Sequence, residues 1–259
     1  MIMKKTLKSI MSPGKKILGT ILQLPSEELV EILGYAGLDI IVLDMEHCPT
    51  TTGKLVSLIR ACEAVDVLPF VRVPDVTDED SIKKALDAGA GGIVVPNVDS
   101  VEQARKAVEY GKFAPMGNRG ACPFVRANHF GQKDRCKYYE QANVETSIMA
   151  LVEGVAGVAA LPEIVKVEGI DVLQIGAVDL SVAMGVPGQT THPKVMEAIR
   201  EAAKLAEDNG KSICFYCDDV TSAEQVKDWP GIGIYILPVV EDVLGTQYGK
   251  MIRAIRKFA

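Results

Sequence analysis

Two periodicities alternate along this chain: short apolar runs rich in β-branched residues, and longer stretches whose apolar residues recur at helical spacing. Eight runs have strand character, at residues 17–22, 40–46, 68–73, 93–97, 147–153, 172–176, 212–217 and 234–238. Between them lie amphipathic stretches such as 26–36, 53–65, 78–88, 101–110, 154–167 and 193–209, several opened by a capping residue. Glycine follows helical text at Gly37, Gly89, Gly111, Gly169 and Gly210. Eight strands each followed by a helix, within 259 residues, predict an α/β chain folded as a (β/α)8 TIM barrel. A doubly wound open sheet is the main rival. No linker, charge block or composition shift divides residues 1–259, so the chain reads as one barrel domain. The spacing fails only over 112–144, where Pro, Gly and Arg interrupt the alternation and predict a binding loop, an interface arm or a lid, with a plain surface insertion as the alternative.

In a barrel the reacting groups project from the carboxyl ends of the strands, so the polar residues that end apolar runs are the candidates. The second run ends Asp44-Met45-Glu46-His47, the third places Arg72 in PFVRVP, the fifth ends at Glu153, and Asp179 follows the sixth in QIGAVDLS. Period-two alternation puts Ile40, Val42, Asp44 and Glu46 on one face, as it does Leu68, Phe70 and Arg72, and Met149, Leu151 and Glu153. A charge capping an apolar column is costly unless it is paired, coordinated or functional. Glu153 and Asp179, two hard carboxylates from adjacent strand ends, suit a divalent cation such as Mg2+ or Mn2+, with Co2+ as an alternative. Arg72 beside such an ion would stabilise an oxyanion, or would serve as a structural salt bridge to Asp44 or Glu46. His47 suits proton transfer near neutral pH. Together these groups point to enolate chemistry on an oxo acid. A Schiff-base mechanism needs a lysine at a strand end, and the strand runs hold none: Lys211 precedes its strand and Lys166 lies in helical text.

Charge and cysteine usage narrow the partners. Lys+Arg number 28 against Asp+Glu 34, a net charge of −6, and aromatic residues make up 5%, so a nucleic-acid surface is not expected. No apolar run approaches the roughly 18–20 residues of a membrane span, and the opening MIMKKTLKSIMSPGKK does not read as a secretory signal, which predicts a soluble cytoplasmic protein without membrane partners. The six cysteines read as free thiols; Cys214 and Cys217 have CxxC spacing, but a strand sends them to opposite faces. The GxG in Pro230-Gly231-Ile232-Gly233 precedes the last strand and reads as a tight turn.

Several ordered segments resemble the HpcH/HpaI aldolase family, the metal-dependent class II pyruvate aldolases typified by 4-hydroxy-2-oxoheptanedioate aldolase and 2-dehydro-3-deoxyglucarate aldolase. They are AGLDIIVLDMEHCP, VRVPD, ALDAGAGGIVVPNV, GNRGACPFVRA, LVEGVAGVAALPEIVKVEGID and IGAVDLSVAMG, spread over nearly the whole chain. The resemblance implies reversible retro-aldol cleavage of a 4-hydroxy-2-oxo acid to pyruvate and an aldehyde. It also implies a barrel whose last helix is often exchanged between subunits, in homo-oligomers that are trimers or hexamers. By motif, Glu153 and Asp179 look like the metal ligands, Arg72 like the group that stabilises the enolate, and His47 like the acid/base residue. The partner that orients His47 is Asp44, near in sequence, or Asp87, which matches a carboxylate of the family's LDAGA segment and could act toward another subunit. The backbone of Ala177, Val178 and Asp179 resembles the segment that holds the pyruvate carboxylate.

Three departures are visible: Leu151 stands where these aldolases commonly have Gln, Ala177 where they have Pro, and Pro123 where a serine is often found in the long loop. Two alternative functions follow. A citrate-lyase-like enzyme acting on an acyl-CoA would need basic groups for the CoA phosphates, with Arg119 and Arg126 as candidates; a non-catalytic metabolite-binding barrel has only Leu151 in its support.

Overall fold

All eight apolar runs form strands, and because each is followed by helical crossover text they pair in parallel with their sequence neighbours. In the computed structural model, which describes residues 5–12 and 14–258, β1 (Ile17–Leu22), β2 (Ile40–Asp44), β3 (Leu68–Arg72), β4 (Gly92–Val95), β5 (Ser147–Val152), β6 (Val172–Ile175), β7 (Ser212–Tyr216) and β8 (Ile232–Leu237) close into a barrel in that order. The open-sheet rival is thereby excluded. The opening segment read above as unlike a secretory signal includes residues 1–4 and 13, which lie outside the described residues.

The helices are α1 (Leu7–Ile10), α2 (Glu27–Tyr35), α3 (Thr52–Ala64), α4 (Glu79–Ala88), α5 (Val101–Gly111), α6 (Arg135–Glu145), α7 (Val155–Ile164), α8 (Ala177–Ala183), α9 (Pro193–Asp208), α10 (Val220–Val226) and α11 (Val240–Ile255). Side-chain caps start several of them: the Ser26, Thr51, Asp78 and Ser100 oxygens accept from backbone N–H groups of the first turns. Alternation along each strand divides the core in two. Ile40, Val42, Leu68, Phe70, Val94, Met149, Leu151, Val172, Cys214, Ile234 and Ile236 fill the barrel, while Ile41, Leu43, Val71, Ile93, Val95, Ala150, Leu173 and Ile175 pack outward against the helices. Each fully buried Leu or Ile contributes about 1.5–3 kcal/mol. Leu7 of α1 joins the inner cluster with Ile10 and Met11 against it, so the helix closes the end of the barrel where the strands begin. Gly92 leaves room for Phe70; a Cβ there would lie 2.4 Å from its ring.

Cys214 faces the interior and Cys217 the outer layer, both buried, as the CxxC reading expects. Gly231 forms the expected turn with φ +72°, but Gly233 belongs to β8, which begins earlier than its apolar text. The 112–144 stretch is not all loop: α6 occupies its second part. This helix buries Tyr138, Ala142 and Asn143 without a clean apolar stripe, so helical spacing does not reveal it. The remaining loop is tied down. Arg119 stacks 4.4 Å over Phe113, and Arg126 Nη1 donates to Glu63 Oε1 at 3.0 Å and to the Ala88 carbonyl at 2.9 Å.

Candidate active site

The carboxyl ends of the strands bring together most of the predicted groups. Asp44 and Arg72 are register partners on β2 and β3, and on the inward face this adjacency becomes a bidentate pair. Arg72 Nε donates to Asp44 Oδ1 at 2.9 Å and Nη2 to Oδ2 at 2.7 Å, with the Asp44 side chain fully buried. Gln23, one inward step beyond Ile21, donates to the same Asp44 Oδ2 at 3.2 Å. The third guanidinium corner, Nη1, lies 3.3 Å from Glu46 Oε2. His47 Nε2 is 3.6 Å from that same oxygen, and the imidazole is 60% exposed at the mouth. Glu46 thus stands between the guanidinium and the imidazole.

Glu153 follows β5 and leans over β6. A Cβ on Gly176 would come within 2.7 Å of Glu153 Oε2, so the glycine is what makes room for the carboxylate. Glu153 Oε1 accepts the backbone N–H of Asn97 at 3.0 Å. Asn97 holds the left-handed conformation, φ +53°, which Asn tolerates better than most residues. Asp179 sits in the first turn of α8, a favourable place for a negative charge.

The electrostatics of the cluster are those of crowded carboxylates. Burial tends to raise Asp44, but the hydrogen bonds and charge of Arg72 outweigh it and hold Asp44 below its usual value. Glu46 is pushed up, chiefly by burial, with Arg72 and His47 opposing and Asp44 and Asp179 adding to the rise. Glu153 is pushed up to about 7: burial dominates, the Asn97 N–H opposes it, Asp179 and Glu46 add to it, and Arg72 opposes. The charge of Arg72 is largely committed to Asp44, so Glu46, Glu153 and Asp179 face one another with too little countercharge. Hard oxygen donors in that state fit a divalent cation, with Glu153 and Asp179 as the residues that could hold it.

The raised Glu153 gives a first expected result. Its value in the fold, about 7, lies above the ordinary 4.5, so between these values the folded protein keeps a proton that the unfolded chain has released. Its contribution to stability is fully present below pH 4.5 and lost as pH rises through about 7. Glu153→Gln, neutral throughout, should therefore match the parent in chelator at low pH and exceed it above pH 7, by roughly 3 kcal/mol at most. Thermal unfolding against pH measures this, and a glutamine variant less stable than the parent at pH 8 would contradict the burial explanation.

Within the protomer the two expected partners of His47 are engaged with other groups. Asp44 is committed to Arg72 and Gln23, and Asp87 accepts from Arg119 Nη2 at 2.6 Å; within the protomer neither bonds to His47, whose neighbour is Glu46. Glu46 was legible as an inward residue and as a salt-bridge partner for Arg72, which it is, but not as the neighbour of His47. Gln23 and Gln174 were also open to detection by alternation, whereas the Asn97 contact runs through a backbone N–H that no residue pattern marks. Arg119 is buried in its pair with Asp87, and Arg126 is occupied by Glu63 and Ala88, so neither offers a free basic surface for CoA phosphates.

A closed parallel barrel whose mouth gathers carboxylates, a clamped arginine and an exposed histidine has the architecture of a barrel enzyme with its candidate active site at the carboxyl ends of the strands. The chain belongs to the HpcH/HpaI aldolase/citrate lyase family, whose sequence profile matches residues 19–229. It is 36% identical over 208 residues to a hydroxypyruvate/pyruvate aldolase of Roseobacter denitrificans, covering 80% of each chain. To a 5-keto-4-deoxy-D-glucarate aldolase of Escherichia fergusonii it is 35% identical over 200 residues, 77% of each. The crystal structure of an HpcH/HpaI aldolase from Desulfitobacterium hafniense superposes with a TM-score of 0.90 at 30% identity, over 97% of this chain and 96% of that one. The protein is accordingly an aldolase, a carbon–carbon lyase, and metal dependence is general among the aldolases of this family.

Proposed function

We propose that this aldolase cleaves a 4-hydroxy-2-oxo acid reversibly to pyruvate and an aldehyde, with Mg2+ or Mn2+ held by Glu153 and Asp179. The observation that carries the reading is the Arg72 guanidinium, fixed on two corners by Asp44 while its third faces the Glu46 and Glu153 side of the mouth. The names of the relatives, pyruvate and oxo-acid aldolases, support the same substrate class. When bound, the cation supplies Lewis-acid polarisation of the 2-oxo group. The first-turn N–H groups of Ala177, Val178 and Asp179, at a helix start without a side-chain cap, bind the substrate carboxylate. Asp44 positions Arg72, which takes up charge at the 2-oxo oxygen as the C3–C4 electron pair moves into the enolate. His47 accepts the C4 hydroxyl proton, so that C4 leaves as the aldehyde, and Glu46 holds the imidazole and steadies its charge. A solvent proton then adds to C3 of the enolate to give pyruvate, and His47 returns its proton to solvent.

Pyruvate release from a panel of 4-hydroxy-2-oxo acids, with Mg2+ and with chelator, tests this directly; release unaffected by chelator would defeat it. His47→Ala should slow cleavage by about 10²–10⁴-fold while sparing exchange of the pyruvate methyl protons, which needs only the enolate. Equal losses in cleavage and exchange would remove that division of labour.

The assembly is proposed as a homo-oligomer, a trimer or hexamer, with α11 exchanged between subunits. In support, Leu244, Tyr248, Met251, Ile252 and Ile255 form an exposed apolar stripe at helical spacing, and Val240 is the one residue of α11 buried within the protomer. No described helix is long and apolar enough to cross a membrane, and the six cysteines are free thiols, which supports work in a reducing compartment, the cytoplasm.

A further inference from the structure

Strand β6 carries one polar side chain into the barrel. Val172 belongs to the inner cluster and Leu173 and Ile175 to the outer one, so alternation directs Gln174 inward, between its register partners Leu151 on β5 and Cys214 on β7. Neither neighbour offers the amide a strong partner. Gln174 is 6% exposed, yet its side chain makes no hydrogen bond among the described residues. Its amide atoms are not among the sealed, unpaired polar atoms, and Leu7, Ile10 and Met11 close the far end of the barrel, so the group is reached from the mouth. The next inward position on β6 is Gly176, over which the Glu153 carboxylate lies. Gln174 therefore sits one inward step, roughly 7 Å along the strand, beneath the carboxylates. Three other polar groups of the mouth are engaged with one another or with backbone: Gln23 on Asp44, Asp44 on Arg72, Glu153 on Asn97. A buried amide without a protein partner is costly in a core and calls for a ligand.

We propose that Gln174 is a substrate-binding residue whose amide hydrogen-bonds an oxygen of the 2-oxo acid seated against the Glu153–Asp179 carboxylates. This rests on the function proposed above. The amide also accounts for the apolar Leu151 across the β5–β6 pair: one amide at this level of the barrel is enough, and here β6 supplies it.

The test compares the Mg2+-loaded parent with Gln174→Leu, Gln174→Met and the double variant Leu151→Gln/Gln174→Leu, which moves the amide to the partner strand. Calorimetric titration reads the Kd for pyruvate, and thermal unfolding reads the ligand-free fold. Either single variant should weaken pyruvate about tenfold to hundredfold with Tm unchanged or raised, and the double variant should regain part of the affinity. A single-variant Kd within twofold of the parent overturns the proposal. So does a lowered Tm or a failure to fold in both single variants, because a side chain with no protein partner is not needed by the fold. A parent that binds pyruvate but neither exchanges its methyl protons nor releases pyruvate from any hydroxy-oxo acid defeats the retro-aldol reading, while the affinities still decide Gln174. A parent with no affinity for pyruvate overturns both.

Discussion

Replacing Asp179 with Ala, or Glu153 with Gln, is expected to lower aldol cleavage by at least about 10³-fold, some 4 kcal/mol of transition-state stabilisation, while leaving the barrel folded. Both residues lie at the mouth, beyond the strands whose apolar faces hold the core together, so neither charge is required for the barrel to fold. Glu153→Gln is the more informative change: the amide oxygen can still accept the Asn97 N–H now received by Glu153 Oε1, and only the negative charge is lost. Titration of Mg2+ or Mn2+ into the purified variants should show affinity lost in parallel with turnover. Unchanged metal affinity in Asp179→Ala would remove that residue from the cation site, and full turnover in either variant would remove the site from the reaction.

Arg72 should give the second large effect. Arg72→Lys keeps a positive charge beside Asp44 but gives up the planar fork that spans both Asp44 oxygens while presenting Nη1 toward Glu46. Loss of one preorganised oxyanion donor costs about 10²–10³ in rate, and this is the expected fall in kcat. Arg72→Ala adds a structural penalty. It strands a fully buried Asp44 carboxylate, which is expected to cost about 3–5 kcal/mol of stability. The salt bridge and the proposed catalytic role are therefore properties of one guanidinium, and the lysine variant separates them. A folded, metal-binding Arg72→Lys enzyme with near-parental turnover on every 4-hydroxy-2-oxo acid the parent cleaves would leave Arg72 a structural part only.

The strands and their inward faces were legible because a parallel barrel buries both faces of each strand, and long apolar runs with period-two polar ends are the direct imprint of that burial. The same imprint carried the expected strands too far. Glu46 and Glu153 extend the alternation, yet β2 ends at Asp44 and β5 at Val152, since these side chains leave the sheet for the mouth. The Asp44–Arg72 bridge was within reach of register reasoning. The neighbour of His47 was not: proximity in sequence favoured Asp44, and only the folded geometry shows Asp44 enclosed by Arg72 and Gln23 while Glu46 remains open to the imidazole. Asp87 meets Arg119 across a long loop whose path no periodicity encodes. The contact that fixes Glu153 depends on a left-handed Asn97, a backbone property rather than a side-chain pattern. Strand faces follow from local periodicity, whereas partner choice at the mouth depends on how the loops descend onto it.

The most direct test of enolate chemistry at this mouth is proton NMR of pyruvate in D2O with the purified protein. With Mg2+ the methyl signal should decay as deuterium enters C3, stop decaying in chelator and resume when the ion is restored. Exchange that continues undiminished in chelator, or a methyl signal that never decays in the Mg2+-loaded protein, would contradict it.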